Sequence, residues 1–242
     1  MRVCYLWRST IIRMILLRLS GHSGAGKTRL VNALPKYGVS IPRVVRYTSR
    51  PAREGEVHGE DYFFVSGEFI ESLPEQDFLV GPVRNLVQAF DLRKLENDLR
   101  AHNLVLIEIY PDLWPGLLAR MTERMGRDLK TASVFMTAVD PKQVKKFPDD
   151  TARSEYITRE VEKILAWRKK DAAEDIQIRA TAAAEEILEA LSPEGEKMYS
   201  KILHSAPEGQ DGKDDWTREE WPVGQAKKAI EEFIDFYRWE IL

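Results

Sequence analysis

Eight residues near the start of the chain, Gly21-His22-Ser23-Gly24-Ala25-Gly26-Lys27-Thr28, join three glycines to a lysine and a hydroxyl side chain. Glycine at 21, 24 and 26 opens backbone conformations closed to other residues and lets N–H groups come close to phosphate oxygens. Lys27 has the reach to meet the outer phosphates of a nucleotide, and the Thr28 hydroxyl is a ligand for Mg²⁺. The preceding run, Met14 to Ser20 (MILLRLS), reads as a buried strand. A helix beginning near Lys27 adds the positive end of its dipole. Strand, Gly-rich loop and helix together form the setting of a phosphate-binding P-loop, which a chance Gly-rich turn would not need.

The elements that position this loop alternate between strand and helix. Leu104 to Tyr110 (LVLIEIY) and Ser133 to Asp140 (SVFMTAVD) are apolar runs suited to strands buried on both faces, and Asp175 to Ile178 (DIQI) is a weaker third. Leu92, Leu95 and Leu99 fall at helical spacing, as do Leu113, Leu117, Leu118 and Met121, and Ile157, Val161, Ile164 and Leu165. Alternation of this kind predicts an α/β fold with a parallel sheet flanked by helices. The stripes are core positions, with no chemistry assigned to them.

Composition excludes several classes. With 242 residues, 43% of them hydrophobic, the chain has room for one α/β core and an appendage and is not disordered. Cys4 is the single cysteine, and His22, His58, His102 and His204 are scattered, so neither a disulfide framework nor a zinc cluster is predicted. A reducing cytoplasm is the expected location. The segment IIRMILLRL is interrupted by Arg13 and Arg18 and is too short to cross a bilayer. The net charge of −3 conceals an asymmetry: the first acidic residue is Glu54, and 11 of the 36 Lys and Arg residues precede it. Positive charge is thus concentrated where phosphates would bind. No basic stripe interleaved with aromatics suggests nucleic acid. The Arg-rich start has the composition of an organelle transit peptide, but the bias continues through the P-loop itself; residues 1–13 are read as a short extension.

A second cluster follows at Arg46 to Ser66, RYTSRPAREGEVHGEDYFFVS. Arg50 and Arg53 present planar forks of donors that suit a phosphate, and Tyr62 adds a hydroxyl donor. Thr48, Ser49, Arg50, Arg53, Gly55, Glu56, Gly59, Tyr62 and Phe64 match the acceptor segment of the guanylate kinase family, and the chain resembles that family over roughly residues 14–192. The resemblance implies a P-loop NTPase-type core, an acceptor-binding insertion around 42–90 and a lid around 142–159. It also implies an ATP-dependent phosphotransferase using ATP and Mg²⁺. Gly21, His22, Ser23, Gly24, Ala25, Gly26, Lys27 and Thr28 would bind ATP, Thr28 the metal, and Arg50, Arg53 and Tyr62 the acceptor phosphate.

Departures from the family pattern narrow the acceptor less than the matches suggest. Where the family reads guanine, this chain has Arg46, Val80, the run Gln88 to Asp91 (QAFD) and Tyr110. A pocket without partners for guanine N–H groups has little to select it by. The acceptor is therefore left open between GMP or a related nucleotide and a sugar phosphate such as ribose 1,5-bisphosphate. Arg153 and Arg159 are the catalytic lid candidates beside Lys27, with Lys145 and Lys146 as further cations, and Glu108 is a second-tier candidate for ordering the Mg²⁺ shell. Two other readings are a catalytically weak module that binds a protein or phosphopeptide, and a nucleotide-dependent switch. The intact Gly26-Lys27-Thr28 argues against the first, and the retained Arg50, Arg53 and Tyr62 against the second.

Residues 193–242 form a linker and C-terminal helix in this reading. Ser205 to Asp215 is polar, and Thr217 to Glu220 fits a capping box for a short turn. From Gln225 onward Ile230, Phe233, Ile234, Tyr237 and Ile241 make one apolar face, widened by Phe236 and Trp239. That face is expected to pack on the rest of the chain or to join two copies as a homodimer.

Overall fold

The computed structural model describes residues 14–53, 55–83, 86–168, 173–207, 215–217 and 219–241. The extension at 1–13, with Cys4, and the middle of the 205–215 linker lie outside the described residues. The first elements are β1 (Met14–Gly21), α1 (Lys27–Ala33), β2 (Tyr47–Thr48), β3 (Phe63–Phe64) and α2 (Gly67–Glu71). Next come β4 (Phe78–Val83), β5 (Leu86–Asp91), α3 (Leu92–His102), β6 (Leu104–Glu108), α4 (Trp114–Met125) and β7 (Leu129–Thr137). The remainder is α5 (Pro141–Val144), α6 (Asp150–Arg168), α7 (Ala173–Leu191), α8 (Pro193–Met198), β8 (Lys201–His204) and α9 (Gly224–Phe236). Two compact units result: one from the chain up to Leu16, Pro42–Val105 and Asp112–Thr131, the other from Leu17–Ile41, Leu106–Pro111 and Ala132 onward.

The first unit holds a sheet of order β3-β2-β5-β4, in which β2 runs parallel to β3 and antiparallel to β5. Thr48 pairs with both Phe64 and Gln88, so the two-residue strand period puts these three on one face, with Arg46 and Tyr62. Tyr47 lies on the other, its ring stacked 4.7 Å from Phe63. α3 starts where the Asp91 carboxylate accepts from Lys94 N–H at 2.8 Å, and stops where Asn103 turns left-handed. It buries the predicted Leu92, Leu95 and Leu99, and α4 buries Leu117 and Met121. Leu113 precedes α4 in a 3₁₀ turn, and its side chain occupies the space a Cβ on Gly81 would need.

In the second unit a parallel sheet of order β6-β1-β7-β8 is flanked by helices, the α/β architecture read from the alternation. Its interior is aliphatic because both faces are covered: Leu17 and Leu19 of β1 and Phe135 and Met136 of β7 are fully buried. The stripe Ile157, Val161 and Leu165 of α6 packs with Ala180, Ala183, Ala184 and Ile187 of α7. One prediction fails here: Asp175 to Ile178 is the start of α7, not a strand. Four residues cannot declare a period by themselves, and the buried alanines beyond them extend a helical stripe through the run while Ile178 faces solvent. Arg18, which interrupts the first apolar segment, is buried in β1; its Nε donates to Ser20 Oγ at 2.8 Å and Nη2 to Tyr199 Oη at 3.1 Å.

The C-terminal part departs from prediction at one point, Trp239. Asp215 to Thr217 make a turn ahead of α9, and Asp215 Oδ2 accepts from Gln225 N–H at 2.9 Å and so caps that helix. α9 buries Ile230, Phe233, Ile234 and Phe236 against α1 and β8 of the same chain. Trp239 does not widen that face and is 84% exposed. After Phe236 the chain switches to a π-helical turn, Tyr237–Ile241, whose wider spacing turns Trp239 outward. No helix among the described residues is long and apolar enough to cross a membrane.

Candidate functional site

The donor loop lies wholly in the second unit. β1 ends at Gly21, Gly24 and Gly26 take left-handed φ of 84° and 81°, and Gly26 caps α1 without any side-chain cap. Lys27 Nζ donates to Gly21 O at 2.5 Å and to His22 O at 3.0 Å, folding the ammonium over the loop. Among the described residues, neither the Gly24 nor the Gly26 amide donates a hydrogen bond. Two donors that the fold leaves open, beside a lysine, in the conformation that glycine permits, make an anion cradle.

His22 is the loop residue with a shifted titration. It is fully buried; Nε2 accepts from Ala138 N–H at 3.0 Å, which makes Nδ1 the protonated nitrogen that donates to Ser23 O at 2.7 Å. Burial first, and the Lys27 charge second, lower its pKa to about 3. A histidine held neutral by the fold contributes stability that is complete above its unfolded pKa of about 6.5 and is lost as pH falls toward the folded value. Stability should therefore drop by somewhat more than about 1 kcal/mol per pH unit from pH 6 to pH 4 on this group's account. His22→Asn should flatten that part of a denaturation-against-pH profile; an unchanged slope would assign the loss to other groups.

Three residues assigned no role by sequence reading touch the donor loop. Ser205 Oγ donates to Ala25 O at 2.6 Å. The buried ring of Trp216 lies so close to Gly26 that a Cβ there would stand 2.7 Å from Cζ2, and its Nε1 donates to Ala206 O at 3.0 Å. Arg168, at the end of α6, brings Nη1 to 3.7 Å from the position of a Cβ on Gly24. None of them stands in a motif, so spacing could not reveal them. The predicted lid cations are held locally: Arg153 donates to Phe147 O and Asp150, Arg159 lies over the Tyr156 ring beside Glu160, Lys145 pairs with Glu196 and Lys146 with Gln143. Glu108 is buried at the end of β6. Among the described residues no group of three His, Cys, Asp or Glu could hold a metal, and Thr28 is exposed at the start of α1.

The residues predicted to bind the acceptor, Arg50, Arg53 and Tyr62, lie in the first unit. The Arg50 guanidinium sits 5.3 Å from the Tyr62 ring centroid and 5.5 Å from that of Phe64, and Nη2 donates to Glu56 Oε1 at 2.8 Å. The other Glu56 oxygen accepts from Arg53 N–H at 2.7 Å. Burial raises the Glu56 carboxyl pKa, but the hydrogen bonds from Arg50 and Arg53 outweigh it and the net shift is downward. One carboxylate thus braces both ends of the Arg-x-x-Arg turn. Glu56 is the residue that sequence reading matched to a motif without giving it this work. Arg46, noted only as a departure, donates Nη2 to Tyr62 Oη at 2.8 Å and stacks on the same ring. Gln88, on that face, is buried, and its Oε1 has no hydrogen-bond partner among the described residues.

A glycine-cradled loop between a buried strand and a helix, with lysine and threonine in place, is the arrangement of a phosphate-binding P-loop, and the braced turn from Arg50 to Arg53 is a second cationic cluster. The guanylate kinase family model matches residues 13–81. Guanylate kinase of Blochmanniella floridana is 27% identical over 160 residues, covering 65% of this chain and 71% of that protein. The corresponding values for guanylate kinase of the Wolbachia of Brugia malayi are 29% over 163 residues, 64% and 80%. The crystal structure of guanylate kinase from Anaplasma phagocytophilum superimposes with a TM-score of 0.50 at 17% identity, covering 96% of this chain and 89% of that one. Over these spans the chain is similar to guanylate kinases, and it shares their fold.

Proposed function

We propose that the protein transfers the γ-phosphate of ATP to the phosphate of a nucleoside monophosphate, and that GMP is that acceptor. The observation that carries this reading is the Arg50 guanidinium, braced by Glu56 over Tyr62 and Phe64, in a chain whose donor loop is intact. The relatives named above, all guanylate kinases, favour GMP over a sugar phosphate and over a non-catalytic binding module.

The donor loop fits ATP by its own geometry, since the Gly24 and Gly26 amides are uncommitted and no side chain caps α1. Thr28 would hold Mg²⁺, which would supply charge neutralisation for the nucleotide phosphates. Lys27 exchanges the Gly21 and His22 carbonyls for phosphate oxygens and offsets charge that develops in transfer. Arg50, Arg53 and Tyr62 hold the acceptor phosphate, and orientation is their contribution. The acceptor oxygen is already ionised at neutral pH, so no general base is required. Arg153 and Arg159 are proposed to cover the transferring group after exchanging their local partners, with residues 142–159 as the moving segment.

The test is ADP release from MgATP with GMP, dGMP, AMP, CMP, UMP, dTMP and ribose 1,5-bisphosphate as acceptors. GMP should support turnover, and Arg50→Ala should raise its KM about 100-fold while the KM for ATP stays constant, because a charge-assisted bidentate contact is lost at one site alone. Turnover with the sugar phosphate alone would overturn GMP as the acceptor. Equal loss at both substrates would remove Arg50 from the acceptor site.

A further inference from the structure

The peptide joining Ala25 to Gly26 is the point where the donor loop depends on distant chain. In a planar trans peptide the C=O and the following N–H point in opposite directions, so fixing one fixes the other. Peptides flanked by glycine flip readily, since glycine tolerates both signs of φ. Ser205 Oγ donates to Ala25 O at 2.6 Å and is itself set by its backbone, whose N–H donates to Thr137 O at 2.8 Å in register with β7. On the other side the Trp216 ring fills the space next to Gly26 and is anchored through Nε1 to Ala206 O. The ring is held in turn by its neighbour: Asp215 O accepts from Val223 N–H at 2.8 Å, and the Asp215 carboxylate caps α9.

We propose that Ser205 and Trp216 are positioning residues for the donor site: they hold the Ala25–Gly26 peptide so that the Gly26 N–H is presented to a nucleotide phosphate. Ser205 grips the carbonyl end of that peptide, and Trp216 blocks the rotation that would turn the amide away. Ser205 and Trp216 thereby belong to the nucleotide site as supports for its backbone. This inference rests on the reading that residues 21–28 take ATP.

The experiment is equilibrium binding of MgATP, with steady-state kinetics, for the full chain and for Ser205→Ala, Trp216→Phe and Trp216→Ala. Trp239→Ala, at an exposed position, serves as the control. Ser205→Ala and Trp216→Ala are expected to weaken MgATP binding about tenfold or more, as for a lost buried hydrogen bond or wedge, with the acceptor KM unchanged. Trp216→Phe keeps a ring against Gly26 and should restore most of the affinity. A merely structural role would lower the melting temperature without separating the two substrates and without rescue by phenylalanine. If Trp216→Ala fails to fold, Ser205→Ala and Trp216→Phe decide the matter. Binding within about twofold of wild type in folded Ser205→Ala would overturn the inference while ATP binding stands. A folded wild type that binds no MgATP would overturn the donor reading first and this inference with it.

Discussion

Lys27→Ala is expected to leave a folded protein that transfers phosphate at least about a thousandfold more slowly, the scale of losing a preorganised charge aimed at a transferring phosphoryl group. The fold should survive because Lys27 is half-buried and its ammonium donates to carbonyls of its own loop, Gly21 O and His22 O. Those oxygens can take water instead. The loss should fall mainly on kcat, since the lysine answers charge that grows in transfer, while the remaining loop amides still bind ATP. Single-turnover rates beside circular dichroism would separate the two. A variant within tenfold of wild type, at unchanged stability, would remove Lys27 from the chemistry.

The largest effect on stability is expected at Gly21. A Cβ there would lie 2.1 Å from Met136 O and 3.0 Å from Met136 C, and these are backbone atoms of β7 in the middle of the sheet. A side chain could rotate away; a strand backbone cannot without giving up its pairing. The residue also sits at φ of 138°, which alanine rarely adopts. Gly21→Ala should cost about 4 kcal/mol or more, enough to unfold many domains of this size. Gly38→Ala is the matched comparison, because Gly38 has a φ of 74° but nothing within 4 Å of its Cβ position. It should cost only about 1 to 2 kcal/mol, the left-handed backbone penalty alone. Denaturant midpoints for the pair would divide the steric from the conformational part, and similar values for both would show that β7 yields.

The donor loop was legible because its chemistry is local: eight consecutive residues hold the glycines, the lysine and the threonine. The cluster at Arg46 to Ser66 is local as well, and Arg50 and Tyr62 do meet. What stayed hidden depends on long-range geometry. Glu56 was visible as a motif letter, but its bond to Arg50 appears only once the turn closes. Ser205 is 180 residues from Ala25, and no period or spacing connects them. The misread strand at Asp175 to Ile178 has a related cause, since four residues show no period until the buried alanines after them are counted. Trp239 failed because an apolar stripe extrapolated at 3.6 residues per turn cannot foresee a π-helical end.

The contact from Ser205 to Ala25 also sets an order of events in time. During synthesis the glycine loop emerges early, yet the hydroxyl that grips it and the indole that wedges it are made some 180 residues later. Contacts so far apart in sequence form late and slowly, because the intervening chain must be ordered first. A nascent chain would carry the complete nucleotide motif well before it could hold a nucleotide firmly. On the proposed role of these two residues, full affinity for ATP would thus arrive as one of the last acts of folding, and an incomplete product would hold the cell's ATP more weakly than the finished protein.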